Sequence, residues 1–121
     1  MRFCAYLFMQ RRQGLTPQNM TKYYSLGIDI GSTTVKAAII DEANTILFAD
    51  YKRHYANIQE TLAQLLEKAH KELGAVTLHP TITGSGGLTL SRHLQIPFIQ
   101  EVVAVAAALR AEDPRTDVAI E

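Results

Sequence analysis

Hydrophobic and polar positions alternate with period two over Tyr24, Leu26, Ile28 and Ile30, with Ser25, Gly27, Asp29 and Gly31 between and after them. Such alternation predicts a strand with one apolar face. Val35-Lys36-Ala37-Ala38-Ile39-Ile40 is apolar at most positions, which predicts a second strand at the centre of a sheet. The polar run Asp41-Glu42-Ala43-Asn44 reads as a hairpin turn. Ile46-Leu47-Phe48-Ala49-Asp50-Tyr51-Lys52 then predicts a third strand, and short turns between all three imply an antiparallel meander.

The period changes after this point. Ile58, Leu62, Leu65, Leu66, Ala69 and Leu73 share one face at helical spacing. Asn57 is placed to cap that helix and Glu60 to complete a capping box. Glu67 and Lys71 stand at i,i+4 with the favoured polarity for an ion pair, and Gly74 sits where a C-cap glycine belongs. Thr81-Ile82-Thr83 predicts a further strand, starting near Val76, with Pro80 tolerated near its beginning. Gly84-Ser85-Gly86-Gly87 forces a turn, and Leu88 to Leu94 reads as a short helix. Pro97 breaks the chain. Gln100 to Arg110 predicts another helix with Val102, Val103, Ala106 and Leu109 on one side, ended by Asp113-Pro114-Arg115. Val118 to Ile120 begins another strand. The fold class is therefore α/β: a mixed sheet of an antiparallel β-β-β meander followed by α-β-α-β, with helices packed on it. The lack of strict βαβα alternation argues against a simple Rossmann domain.

Composition narrows the class. The 121 residues suit one domain, and a hydrophobic share of 47% excludes a disordered chain. Twelve basic residues balance twelve acidic ones, so charge gives no reason to propose nucleic acid or an anionic membrane as partner. No apolar run approaches the roughly 18 residues needed to cross a bilayer. The one cysteine, Cys4, excludes an internal disulfide and any zinc site of several thiolates, and a reducing, cytoplasmic setting fits best. His54, His70, His79 and His93 make no metal-ligand spacing.

The first nineteen residues differ from the rest. Phe3-Cys4-Ala5-Tyr6-Leu7-Phe8-Met9 is apolar between Arg2 and Arg11-Arg12. A signal peptide is one reading, but no small-x-small cleavage site follows. A loosely attached extension is another, and a natural start at Met20 a third. We expect an extension over 1–19 and one lobe over 20–121 that stops, at Val118-Ala119-Ile120-Glu121, inside an interrupted strand.

Candidate chemistry concentrates in Gly27-Ile28-Asp29-Ile30-Gly31-Ser32-Thr33-Thr34. A strand carries a carboxylate to its end, and Gly31-Ser32-Thr33-Thr34 turns the chain into the next strand. Glycine admits a close ligand and permits positive φ, successive amides can form an anion-binding nest, and three hydroxyls add donors. Asp29 is placed to hold Mg²⁺ directly or through water. This points to the phosphates of a nucleotide; the ordinary alternative is an Asp capping a hairpin turn. Gly31 to Lys36 lacks the second glycine of a Walker A loop, and Gly84 to Thr89 fails the dinucleotide fingerprint at its last position.

Leu26 to Lys36 resembles the first phosphate motif of the acetate and sugar kinase/Hsp70/actin superfamily. Three further stretches resemble the BadF/BadG/BcrA/BcrD-type ATPases, activators of 2-hydroxyacyl-CoA dehydratases and benzoyl-CoA reductases. They are Ile82-Thr83-Gly84-Ser85-Gly86-Gly87, Ile96 to Ala104, and Thr116 to Glu121, the last resembling the lead-in to the family's second phosphate motif. The resemblance runs from about Lys22 to the end and is nearest to the N-terminal portion of the long, activase-related members.

What this resemblance implies is a ribonuclease H-like, actin-like ATPase lobe that binds ATP and Mg²⁺. Asp29 would contact Mg²⁺ or its water, and Gly31, Ser32, Thr33 and Thr34 would hold the β- and γ-phosphates. Lys36 would help neutralise them, or is a solvated strand lysine. Gly84, Ser85 and Gly86 match a loop near the cleft, or form an ordinary strand-to-helix turn. Glu101 would orient the attacking water or a Mg²⁺ water, or merely favours the helix dipole in a first turn. The partner implied is a dehydratase or reductase component, and a homodimer is compatible. Intact members couple ATP hydrolysis to low-potential electron transfer. Their [4Fe–4S] cluster, second phosphate motif and adenosine motif involve residues downstream of this chain. Val103-Ala104-Val105-Ala106 also lacks the His and Cys that the small activators carry near this point. We therefore expect this chain alone to hydrolyse little ATP. A sugar kinase-like lobe of the same superfamily, and a lobe without turnover, are the alternatives.

If Met20 is the natural start, deleting residues 1–19 leaves the thermal midpoint nearly unchanged. A large fall in a melting experiment would show instead that the apolar extension packs on the core.

Overall fold

A computed structural model describes residues 23–112 and Arg115. The extension 1–19 with Cys4, the start at Met20, the strand at Val118–Ile120 and the segment Thr116–Glu121 lie outside the described residues. The elements are β1 (Tyr23–Ile30), β2 (Thr34–Ile40), β3 (Ile46–Arg53), α1 (Ile58–Leu73), β4 (Thr77–Thr83), α2 (Gly87–Leu94) and α3 (Glu101–Glu112).

The meander forms as the alternation predicts. β1 pairs antiparallel with β2, β2 antiparallel with β3, and β4 parallel with β1, giving the order β3-β2-β1-β4. β4 must return beside β1, because β3 already occupies the free edge of β2. The helix between β3 and β4 provides the long crossover that a parallel pairing needs. Beyond β4 the chain pairs once more. Phe98 bridges Ile82 in parallel, with the Ile82 amide donating to the Pro97 carbonyl at 2.9 Å and the Ile99 amide to the Ile82 carbonyl at 2.9 Å.

The period-two strands sort their side chains into two layers. Leu26, Ile28, Ile30, Val35, Ala37, Ile39 and Phe48 face Leu62, Leu65 and Ala69 of α1 and Leu90 of α2. Full burial of one such leucine, Leu65 for example, contributes about 2 kcal/mol. On the opposite face Ala38 and Ile40 pack against Ala104 of α3, with Ala49 and Ile99 alongside. Because both faces are covered, β2 is buried at Val35 and from Ala37 to Ile40, which is why it reads as nearly continuous apolar sequence.

Three local expectations are corrected. The capping box does not form: the Asn57 side-chain amide donates to the Glu60 carboxylate at 2.5 Å, and no side chain caps the helix. A charged acceptor draws the Asn57 amide group away from the cap role. Glu67 and Lys71 make no ion pair among the described residues; the bridge from α1 runs from Lys68 to Asp50 on β3, at 2.6 Å. In α3 the buried positions are Ala104 and Ala108, whereas Val102 is 73% exposed and Val103 and Ala106 are exposed too. Alanine lets the helix lie close on Ala38 and Ile40, so Ala104 turns inward and Val102 and Val103 turn outward. Gly74, in contrast, ends α1 as expected, with φ of 74° and its amide donating to the His70 carbonyl.

The Lys68 side chain, ahead of the Tyr51 amide, holds the Asp50 carboxyl below the usual carboxylate range. The same hydrogen bond raises Lys68. A lowered Asp contributes stability that is present above its unfolded value and is lost as pH falls through the folded one. A raised Lys contributes stability that is lost as pH rises through its folded value. The tether therefore acts between the two ranges, and its exposure keeps it modest. Asp50→Asn should lower the melting midpoint slightly at neutral pH and make no difference once pH is below the folded Asp50 range. Melts across pH check this.

Candidate functional site

The C-terminal end of β1 carries the chemistry. Ile28 and Ile30 point into the α1 layer, so Asp29 between them projects from the other face. Register places Asp29 opposite Lys36 on β2 and opposite Thr83 on β4, and Lys36 opposite Tyr51 on β3. The four residues form one row across the sheet. Lys36 Nζ lies 3.3 Å from Asp29 Oδ2, with the two side chains 42% and 19% exposed. An ion pair this solvated contributes about 1 kcal/mol or less, so Lys36 can leave Asp29 for a stronger anion at little cost. α3 covers Ala38 and Ile40 further along this face, while Tyr51 stays exposed.

Two glycine-bearing turns close on this end. In the first, the Gly31 amide donates to the Thr34 carbonyl at 2.9 Å. Ser32 and Thr33 are exposed, and among the described residues their backbone amides meet no backbone acceptor. Adjacent amides without backbone acceptors, on exposed residues beside a half-buried carboxylate and a lysine, make a surface suited to a phosphate and its counter-cation. Gly31 does not adopt the positive φ that the sequence reading allowed for. A Cβ there would meet nothing nearer than the Thr34 carbonyl oxygen at 3.6 Å, so the fold itself does not demand glycine at this position.

The second turn is different. Gly84 has φ of 95°, and a Cβ on it would lie 2.5 Å from Asp29 Oδ1 and collide with the Ile30 carbonyl. Here glycine is required twice over, by conformation and by contact. The Gly86 amide donates to the Ile30 carbonyl at 2.9 Å and the Gly87 amide to the Gly84 carbonyl at 3.0 Å. The strand-to-helix turn is thus fastened to β1, its Gly86 amide already engaged, and Ser85 is left exposed at its tip.

Of the residues singled out from sequence, the structure brings together Asp29, Gly31, Ser32, Thr33, Thr34, Lys36, Gly84, Ser85 and Gly86 at the two turns. Glu101 begins α3, exposed, and makes no hydrogen bond or ion pair among the described residues. Two residues escaped the sequence reading. Thr83 is 3% exposed, and among the described residues its hydroxyl is a buried side-chain oxygen without a partner; its place opposite Asp29 needed the β1–β4 register. His54 is 7% exposed and contacts the first turn through Nε2, 3.1 Å from the Gly31 carbonyl. No periodic signal marks it. No group of three or more His, Cys, Asp or Glu is placed to hold a metal among the described residues, and no helix among them is long and apolar enough to cross a membrane.

No family model matches the sequence, and no curated relative matches it. Solved structures similar to this chain include the following two. One is the activator of 2-hydroxyisocaproyl-CoA dehydratase from Clostridium difficile with bound ADPNP, with a TM-score of 0.65 and 24% identity over 77% of this chain and 35% of that one. The other is component A of (R)-2-hydroxyglutaryl-CoA dehydratase from Acidaminococcus fermentans, with a TM-score of 0.59 and 21% identity over 78% and 37%. The chain spans little more than a third of either protein. The likeness establishes the fold, an α/β lobe with a mixed sheet.

The two turns make opposite demands on their glycines. Gly84→Ala should destabilise by about 2 kcal/mol or more, whereas Gly31→Ala should stay within about 1 kcal/mol of the parent. Denaturant titration of both variants checks this, and equal losses would contradict it.

Proposed function

We propose that this chain is the nucleotide-binding lobe of an ATP-dependent activator of the 2-hydroxyacyl-CoA dehydratase or benzoyl-CoA reductase type. The observation that carries the reading is the end of β1. Asp29 lies beside a turn with two unengaged amides, with Lys36 loosely paired to it, on a fold shared with an activator solved with ADPNP.

In this reading the Ser32 and Thr33 amides and the hydroxyls of Ser32, Thr33 and Thr34 hold the β- and γ-phosphates. The bare Gly31 lets the phosphates approach the backbone. Lys36 moves from Asp29 to the phosphate oxygens, exchanging a weak solvated pair for a charge-assisted contact. Gly84 and Gly86 keep the second turn against β1, and Ser85 offers its hydroxyl from the tip. Glu101 orients a water at the cleft. Little covalent chemistry is asked of the protein in phosphoryl transfer; positioning and charge stabilisation do most of it.

A Mg²⁺ ion fits the donors present. Magnesium takes one or two carboxylates, prefers oxygen and keeps several waters, and Asp29 with the unpartnered Thr83 hydroxyl beside it offers that donor type. Bound there, the ion would supply positive charge to the phosphates. A [4Fe–4S] cluster has no cysteine ligands among the described residues, so no step is assigned to one. Coupling of ATP hydrolysis to electron transfer, action on a dehydratase or reductase component, assembly as a homodimer and a cytoplasmic setting belong to the intact protein in this proposal. It needs neither nucleic acid nor a membrane.

Purified chain titrated with Mg-ATP should bind saturably but weakly, with phosphate release near background. Asp29→Asn should weaken binding at least about tenfold. Absence of any binding would contradict the reading. Robust turnover abolished by Asp29→Ala would show that the chain is a complete catalyst rather than one lobe of a larger site.

A further inference from the structure

His54 is buried where β3 gives way to α1, and every polar group it carries is committed. The Ala56 amide donates to Nδ1 at 3.0 Å, and Nε2 lies 3.1 Å from the Gly31 carbonyl. A backbone amide can only donate, and a carbonyl can only accept. The tautomer that satisfies both partners has its lone pair on Nδ1 and its proton on Nε2. The His54 amide donates to the Thr33 carbonyl at 3.0 Å, and the His54 carbonyl accepts from the Asn57 amide at 2.6 Å. Tyr55 and Ala56, both at positive φ (45° and 66°), curl the chain back so that the Ala56 amide reaches the ring. Such conformations persist where surrounding contacts hold them.

The consequence lies in the first turn. In a trans peptide the C=O and the following N–H point in opposite directions. Holding the Gly31 carbonyl on the His54 imidazole therefore aims the Ser32 amide away from His54. Holding the Thr33 carbonyl on the His54 amide does the same for the Thr34 amide. The amide of Ser32, an exposed residue, is one of the two without a backbone acceptor among the described residues.

We propose that His54 is a positioning residue, an imidazole latch that fixes the Gly31–Thr34 turn so that the Ser32 amide is presented to the phosphates of a bound nucleotide. The inference rests on the nucleotide reading of the site and deepens it. It assigns no bond making or breaking to His54, which touches the turn and not the phosphate. Preorganised donors bind an anion better than donors that must first be ordered.

The test compares the full chain with His54→Leu, which fills the space without polar atoms, and His54→Gln, which keeps a donor for the Gly31 carbonyl. Mg-ATP affinity is measured beside the melting midpoint, and ring and amide ¹⁵N resonances are recorded without nucleotide. His54→Leu should weaken Mg-ATP about tenfold, the value of one hydrogen bond, and His54→Gln should recover most of that loss. The parent ring should show its proton on Nε2, and His54→Leu should displace the Ser32 and Thr34 amide resonances more than His54→Gln does. A purely structural role would lower the midpoint of both variants and leave the affinity of the folded chain unchanged, overturning the proposal. A ring proton on Nδ1, or unmoved Ser32 and Thr34 resonances in His54→Leu, would overturn it as well. If the parent binds no Mg-ATP, the nucleotide reading fails and with it the purpose assigned to the latch; the resonances still report separately whether the latch exists.

Discussion

Three backbone carbonyls at the end of β1 organise this molecule. The Ile30 carbonyl accepts the Gly86 amide, the Gly31 carbonyl meets the His54 ring, and the Thr33 carbonyl accepts the His54 amide. Each draws in a segment distant in sequence: the turn after β4, and the link between β3 and α1. Backbone carbonyls seek donors, and here the donors come from segments that the chain brings to this end of the sheet. The same contacts that satisfy the end of a buried strand therefore assemble the candidate site.

The unequal covering of the sheet leaves that site open. On one face α1 and α2 bury a continuous aliphatic layer from Leu26 to Leu90. On the other, α3 rests on a short patch of Ala38 and Ile40. The Lys36 end of the second face remains accessible, and the Lys36–Asp29 ion pair there is weak enough to rearrange. Stability is concentrated in the first layer, and adaptable polar groups stand at the edge of the second. A rigid support beneath exposed donors is the arrangement that anion binding favours.

Much of this was legible in the sequence. The alternation in Tyr24 to Ile30, the near-continuous apolar run of β2 and the 3.6-residue spacing of Ile58 to Leu73 follow directly from burial on one or two faces. Their succession already indicated the mixed α/β sheet. The Gly31 and Gly84 turns were visible from composition, but not their difference. Only the closed fold shows that Gly84 is pressed against Asp29 and Ile30, whereas Gly31 has room for a Cβ at ordinary contact distance. α3 misled because its valines outrank its alanines in hydrophobicity, while close helix-to-sheet approach selects the smaller side chain. Thr83 lies within the Ile82 to Gly87 stretch, but nothing local marked it or His54 as part of the site. Their significance comes from a parallel register and from a turn at Tyr55-Ala56, both products of long-range contacts.

The central claim is that the end of β1 receives nucleotide phosphates. Backbone amide resonances followed while Mg-ATP is added to the chain test it most directly. Saturable shifts are expected, centred on Gly31 to Thr34, with smaller ones at Gly84 to Gly86 and little change along α1. Shifts that bypass Ser32 and Thr33, or that are unchanged when Asp29 is replaced by Asn, would contradict it.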